Sequence, residues 1–159
     1  MIATGIGYDV HRLVNDRPLI LGGVRIEHGL GLEGHSDADV LCHAIADALL
    51  GAAGEPDIGH MFPNTDASIR GISSLEILRR VCGRLAELSI TINNVDATVV
   101  AEEPKISPHL GAMKNHIGSA LGLPPNRVGI KATTNESMGF LGRGEGIAAI
   151  ASACVERPD

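Results

Sequence analysis

The chain has no tryptophan, one tyrosine and two phenylalanines among its 159 residues. A core of that composition cannot rest on large rings. It must be assembled from Ile, Leu, Val and many Ala, with 20 Gly available for tight turns. Small side chains bury little area each, so burial between subunits is expected to add to what one chain achieves. Cysteine is equally sparse: Cys42, Cys82 and Cys154 are widely spaced and form no C-x-x-C. That excludes a disulfide or zinc–thiolate framework and leaves three small apolar residues in a reducing compartment. Lys and Arg number 13 against 19 Asp and Glu and form no run, which argues against nucleic acid or an anionic membrane surface as partner. No apolar run reaches membrane-spanning length, and MIATGIGYDVHR lacks the basic-then-apolar order of a signal peptide. The expectation is a soluble, cytoplasmic protein forming one domain over 1–159.

The stretch that organises the rest is HSDADVLCHAIADALLG, residues 35–51. Val40, Leu41, Ala44, Ile45, Ala48 and Leu49 recur at helical spacing, and Asp39, His43 and Asp47 fall at i, i+4 and i+8 on one side. Residues 2–11 alternate as a strand, with Ile6, Tyr8 and Val10 on one face and Gly5, Gly7, Asp9 and His11 on the other. Leu19–Leu21 and Val24–Ile26 flank Gly22-Gly23 as a two-residue hairpin. Residues 54–71 carry Gly, Pro, Asn and Asp without periodicity, and so long a loop is expected to be mobile and functional. Ser73-Ser74-Leu75-Glu76 reads as a capping box opening a helix to about Leu88. A strand over 90–101 follows, then a helix with Ser107 as N-cap and Pro108 at N1, ending near Leu121 before Gly122. Val128–Ala132 and Ile147–Val155 are the last strands. The fold class is α+β in two layers, with helices on one face of a four-stranded mixed sheet beside an N-terminal hairpin. The final strand is small and apolar on both faces, so both must be covered, the second by a neighbouring subunit.

Two groups of residues carry chemistry. Asp9, His11 and His43 supply an O, N, N donor set from a strand and a helix, with room for a fourth ligand, as in a catalytic metal site. Zinc suits the mixture, and Mn or Fe(II) would also fit. Asp39 and Asp47 are spaced to orient the His43 imidazole. His28, His60, His109 and His116 have no such company and read as surface or cap residues. The second group follows the strand 128–132. The hydroxyls of Thr133 and Thr134 and the loose backbone around Asn135 suit phosphate oxygens, and Glu136 could hold Mg²⁺ on them. Lys105, after Pro104, could supply one fixed positive charge.

These pieces, in order, resemble the 2-C-methyl-D-erythritol 2,4-cyclodiphosphate synthase family of the non-mevalonate isoprenoid pathway. The resemblance rests on G-Y-D-V-H at 7–11, H-S-D-A-D-V at 35–40 followed by His43, D-I-G at 57–59 and F-P-N-T-D at 62–66. It continues with P-K at 104–105, K-A-T-T-N-E at 131–136 and G-F-L-G-R-G-E-G-I at 139–147, covering essentially the whole chain. It implies a cytoplasmic homotrimer with active sites between subunits and a phosphorus–oxygen lyase activity. The 2-phosphate of 4-diphosphocytidyl-2-C-methyl-D-erythritol 2-phosphate would close onto its own β-phosphorus and expel CMP. Zinc would sit on Asp9, His11 and His43, and Mg²⁺ or Mn²⁺ on Glu136. His35 and Thr134 match positions that stabilise the transition state. Ser36 would hold the methylerythritol end together with Asp57, Ile58, Gly59, Phe62, Pro63, Asn64, Thr65 and Asp66. Ala101, Pro104, Lys105, Thr133 and Asn135 would line the neighbouring subunit's cytidine and phosphate pocket. Phe140 and Arg143 match residues lining a channel on the three-fold axis, where an isoprenoid diphosphate could bind. Asn64 stands where the family commonly has Asp, and Tyr8 where Phe is frequent.

Three other readings fit parts of the pattern. A zinc-dependent phosphoesterase explains the ligands and threonines but leaves no clear base beside the metal. Two His and one carboxylate also serve Fe(II) oxygenases, although no all-β pattern is present to house them. A non-catalytic trimeric metal- or nucleotide-binding module would bind phosphate without turnover.

Overall fold

Strand β1 runs Ile2–Val14, three residues beyond the expected 2–11. Strands β2 (Leu19–Leu21) and β3 (Val24–Ile26) form the expected hairpin, with Gly22 and Gly23 both at positive φ, as a two-residue turn demands. A computed structural model describes all of residues 1–159. The remaining elements are β4 (Gly31–Leu32), α1 (Val40–Ala53), α2 (Ile58–Met61), α3 (Ser74–Glu87), β5 (Thr91–Val100), α4 (Leu110–Leu121), β6 (Val128–Thr133), α5 (Gly139–Gly142) and β7 (Gly146–Glu156).

The main sheet is mixed and has five strands rather than the expected four, in the order β4-β1-β7-β5-β6. The fifth is the pair Gly31–Leu32, which bonds to the extra length of β1 at Val14 and Leu13. Two residues are too short to show any alternation, so the sequence reads them as loop. β7 pairs antiparallel with β1 along its whole length and with β5 on its other side. The parallel β5–β6 pair needs a crossover, and α4 supplies it.

Helix α1 starts at Val40, not near His35. Ala38 sits in the left-handed region at φ 56°, and the Asp39 carboxylate caps the helix by accepting from Cys42 N at 3.1 Å. Every α1 residue except Asp47 and Gly51 is buried, as befits a helix enclosed between a sheet and other helices. Leu41, Ile45, Leu49 and Leu50 are fully buried there, worth roughly 1.5–3 kcal/mol apiece. α3 packs on α1 and α4, completing a helical layer on one face of the sheet. The predicted capping box does not form: Ser73 makes no side-chain cap bond, and Glu76 instead pairs with Arg79 and Arg80. The expected α4 start is likewise displaced, because Ser107–His109 forms a separate 3₁₀ turn.

The opposite sheet face is open in the single chain. Ile6, Tyr8 and Ile150 are 74, 54 and 45 % exposed, and Tyr8 lies directly across from Ile150 in the β1–β7 register. The other face of β7, Ile147, Ala149, Ala151, Ala153 and Val155, is buried under the helices. The two-sided cover expected for the last strand is therefore present on one side within this chain.

Candidate metal centre and substrate pocket

Alternation along β1 puts Gly5, Gly7, Asp9 and His11 on the side facing α1. The two glycines let the helix lie against the strand, and at its first turn His43 meets Asp9 and His11. Asp9 Oδ2 lies 3.0 Å from both His11 Nε2 and His43 Nδ1, and those two nitrogens are 3.3 Å apart. The other Asp9 oxygen accepts from Val10 N at 2.9 Å. His11 Nδ1 lies 2.7 Å from the Glu33 carbonyl, which can only accept, so Nδ1 carries the proton and Nε2 keeps its lone pair. A carboxylate oxygen and two imidazole nitrogens thus converge, and facing lone pairs require a proton or a cation between them. This donor set suits a divalent metal such as zinc. Without a cation, protons take that role. Burial opposes charge on Asp9, but the His11 and His43 imidazoles outweigh it and hold the carboxyl down at about 2. Burial likewise opposes the His11 imidazolium, yet the Asp9 carboxylate raises its pKa above the ordinary value.

The expectation that Asp39 and Asp47 orient His43 is not met. Asp39 is fully buried at the α1 N-cap, where its oxygens accept from Gly22 N, Gly23 N and Cys42 N. Helix spacing put it near His43, but it precedes the first helical turn and is committed to backbone. Asp47 accepts from Ile58 N at 2.9 Å and so anchors the start of the 57–66 loop to α1. The groups that orient His43 from its Nε2 side are two hydroxyls, Ser74 Oγ at 2.9 Å and Ser36 Oγ at 3.2 Å.

Beside the three ligands opens a pocket of about 480 Å³. Its walls include His35, Ser36, Ile58, Gly59, Phe62, Asn64, Thr65 and Asp66, so most of the predicted methylerythritol contacts meet here. Asp57 and Asp66 also shape the loop itself. Asp57 accepts from His60 N, and the His60 imidazole beside it holds its carboxyl below the usual range. Asp66 is lowered by the hydroxyl and N–H of Ser68. The segment carrying His35 and Ser36 is stapled by Arg17, whose guanidinium donates to the carbonyls of Leu32, Gly34 and Ser36 at 2.9–3.1 Å. Nothing about Arg17 in the sequence, one basic residue in a turn, announced that role.

A second pocket, of about 550 Å³, gathers Ala101, Pro104, Lys105, Thr133 and Thr134. It shares no lining residue with the first, so one chain does not bring His35 and Thr134 into a common cavity. Glu102 is a further organiser here: its Oε1 accepts from Asn135 N at 2.7 Å and Ser137 N at 3.3 Å. Asn135 spends its side-chain amide on the Met138 carbonyl, and Glu136 is exposed in a left-handed conformation at φ 53°. Arg143 is exposed and paired with Glu145, close after the half-exposed Phe140.

Fold and site together define an α+β protein with a metal-ligand cluster at a strand–helix junction and two separate pockets. The chain belongs to the YgbB family, whose sequence profile matches residues 2–156. It is 62% identical over 151 residues to the 2-C-methyl-D-erythritol 2,4-cyclodiphosphate synthase of Symbiobacterium thermophilum, covering 95% of this chain and 96% of that one. It is 59% identical over 161 residues to the Akkermansia muciniphila protein of the same name, covering 100% and 95%. The Plasmodium falciparum IspF, solved as a CDP complex, superposes with a TM-score of 0.85 at 31% identity over 99% of this chain and 97% of that one. No helix of this chain is long and apolar enough to cross a membrane.

Proposed function

We propose that this chain converts 4-diphosphocytidyl-2-C-methyl-D-erythritol 2-phosphate to 2-C-methyl-D-erythritol 2,4-cyclodiphosphate and CMP, a phosphorus–oxygen lyase step of isoprenoid precursor synthesis. The observation that carries it is the convergence of Asp9, His11 and His43 at the mouth of a pocket walled by the 57–66 loop. A zinc ion held there would polarise a phosphate oxygen, and Mg²⁺ or Mn²⁺ on Glu136 would offset charge on neighbouring phosphates. An oxygen of the substrate's 2-phosphate forms the new P–O bond to the β-phosphorus, the bond linking the β and α phosphates breaks, and CMP leaves with the α-phosphate. The nucleophile is already anionic, so no protein base is required. The protein's task is alignment and charge neutralisation. His35 in the first pocket and Thr134 in the second would stabilise the transition state, Ser36 would hold the methylerythritol end, and Lys105 and Thr133 would hold the cytidine and its phosphates.

Two pockets that never meet in one chain support a site completed between subunits. The open apolar face of β1 and β7 supplies the surface for it, in a homotrimer of single 1–159 domains. A CDP complex of one relative supports a nucleotide end for the second pocket. Phe140 and Arg143 would then lie near the trimer axis, where an isoprenoid diphosphate could be held. Phosphorus NMR with zinc-loaded protein, Mg²⁺ and the cytidylyl substrate tests the reaction. Two coupled cyclic-diphosphate signals appearing with CMP, and absent with His43→Ala, are expected. Free phosphate would instead indicate a zinc phosphoesterase, and no turnover a binding module.

A further inference from the structure

Only three polar or charged side chains of the chain are buried: Asp39, His43 and Ser74. Asp39 is accounted for as a helix cap; the other two bond to each other. Ser74, the first residue of α3, also bonds to Asp37 twice, its N–H to Oδ2 at 2.9 Å and its hydroxyl to Oδ1. Asp39 N donates to the same Oδ1 at 3.1 Å. Backbone bonds from Asp37 N to Ile72 O at 3.2 Å and from Gly71 N to His35 O at 2.9 Å stitch the two segments together on either side.

The proton count along this chain is fixed by chemistry. Asp37 is surrounded by donors, so its oxygens accept, and the single Ser74 hydroxyl proton goes to it. Ser74 Oγ must then accept at its other contact, 2.9 Å from His43 Nε2, which requires the proton on Nε2. The neutral imidazole has one N–H only, so Nδ1 is left with a lone pair, and Nδ1 is the nitrogen turned to Asp9. We infer that Asp37 and Ser74 are positioning residues that fix the His43 tautomer and ring direction, presenting Nδ1 as the metal ligand. Ser36 benefits as well. Its oxygen accepts from Ala38 N at 3.0 Å and shares the Nε2–H, leaving its hydroxyl proton free for a ligand in the pocket. The pocket loop returns to the core at α3, so this clasp also ties its far end to the metal ligand.

The inference rests on the metal site proposed above. Its test uses zinc binding and ¹⁵N NMR of histidine-labelled protein. The expected parent spectrum shows His43 protonated at Nε2 with zinc on Nδ1. Ser74→Ala should lower zinc affinity ten- to a hundred-fold in a chelator competition, while Ser73→Ala, whose exposed side chain makes no bond, stays within two-fold. A folded Ser74→Ala protein with zinc affinity within two-fold of the parent overturns the role of Ser74. A parent spectrum with the His43 proton on Nδ1 overturns it too, and decides the matter even where Ser74→Ala does not fold. A parent that binds no zinc overturns the metal centre itself, a result distinct from either.

Discussion

Gly7 of β1 lies directly under Ala44 of α1: a Cβ on Gly7 would stand 1.9 Å from the Ala44 carbonyl oxygen and 2.8 Å from Ala48 N. Backbone atoms of a buried helix cannot yield to it, so Gly7→Ala must lift α1 off the strand. Overpacking of this kind costs about 3 kcal/mol. Because β1 carries Asp9 and His11 and α1 carries His43, the same displacement separates the metal ligands. Urea unfolding should show the stability loss, and zinc affinity should fall in whatever fraction remains folded. Loss of stability with unchanged zinc affinity would show that the helix–strand spacing does not govern the site.

Zinc should stabilise the protein without being needed to fold it, since the hydrophobic core is continuous and independent of the ligands. Free zinc at a hundred times its Kd should add about 2.7 kcal/mol, by mass action on the native state. His11→Ala should lose most of that increment and the turnover, while its metal-free melting temperature stays close to the parent's. Melting curves with zinc and with a chelator read both.

Glu102 organises the loop after β6 through one oxygen. Glu102→Gln can keep that acceptor toward Asn135 N and Ser137 N, whereas Glu102→Ala leaves both N–H groups to solvent. The alanine variant should raise KM about ten-fold, a cost of about 1.4 kcal/mol, with the glutamine variant within about three-fold. Equal effects would mean that the charge, and not the loop geometry, is what matters.

How much of this could be read beforehand depended on whether a local rule governed the residue. The alternation of β1 and the helical stripe of α1 brought Asp9, His11 and His43 together correctly. The Gly22-Gly23 turn and the Gly122 stop are fixed by backbone conformation alone. For Asp39 and Asp47 helical spacing misleads, because it says which side chains are neighbours, not which backbone donors compete for them. Gly22, Gly23 and Ile58 took those carboxylates instead. Ser74 was hidden in what looks like a capping sequence. Its partners Asp37 and His43 lie 37 and 31 residues away, contacts that no periodicity encodes. Arg17 and Glu102 carry no sequence signal for the same reason: each serves carbonyls or N–H groups that only the tertiary fold presents.

Asp47 carries a pH dependence whose sign is fixed. Burial, opposed by the Ile58 N–H and His43 and assisted by the charges of Asp57 and Asp9, raises its pKa in the folded protein. The native state then holds this proton more tightly than the unfolded chain, whose value is ~3.9. Asp47 therefore costs no stability below that value, and its cost grows as pH rises through the folded pKa. Asp47→Asn keeps an oxygen for Ile58 N and removes the charge. Its stability relative to the parent should increase with pH across that window and then level off. Urea titrations at a series of pH values would show it, and a flat difference would mean that Asp47 is not shifted.

Assembly is tested most directly at Ile6, which is 74 % exposed in the single chain and central to the apolar face of β1. A lysine there meets only solvent in an isolated chain, so subunit stability should change by no more than about 0.5 kcal/mol. Against a neighbouring subunit, the same charge would be buried without a partner and should drive the trimer apart. Sedimentation of Ile6→Lys as a folded monomer is therefore expected, together with lost turnover, because the two pockets would no longer face each other. Mixing Ile6→Lys with His43→Ala should restore nothing, since Ile6→Lys chains cannot join a trimer and trimers of His43→Ala lack one of the three metal ligands. Retention of the parent's sedimentation and activity by Ile6→Lys would move the subunit contact away from this face of β1 and β7.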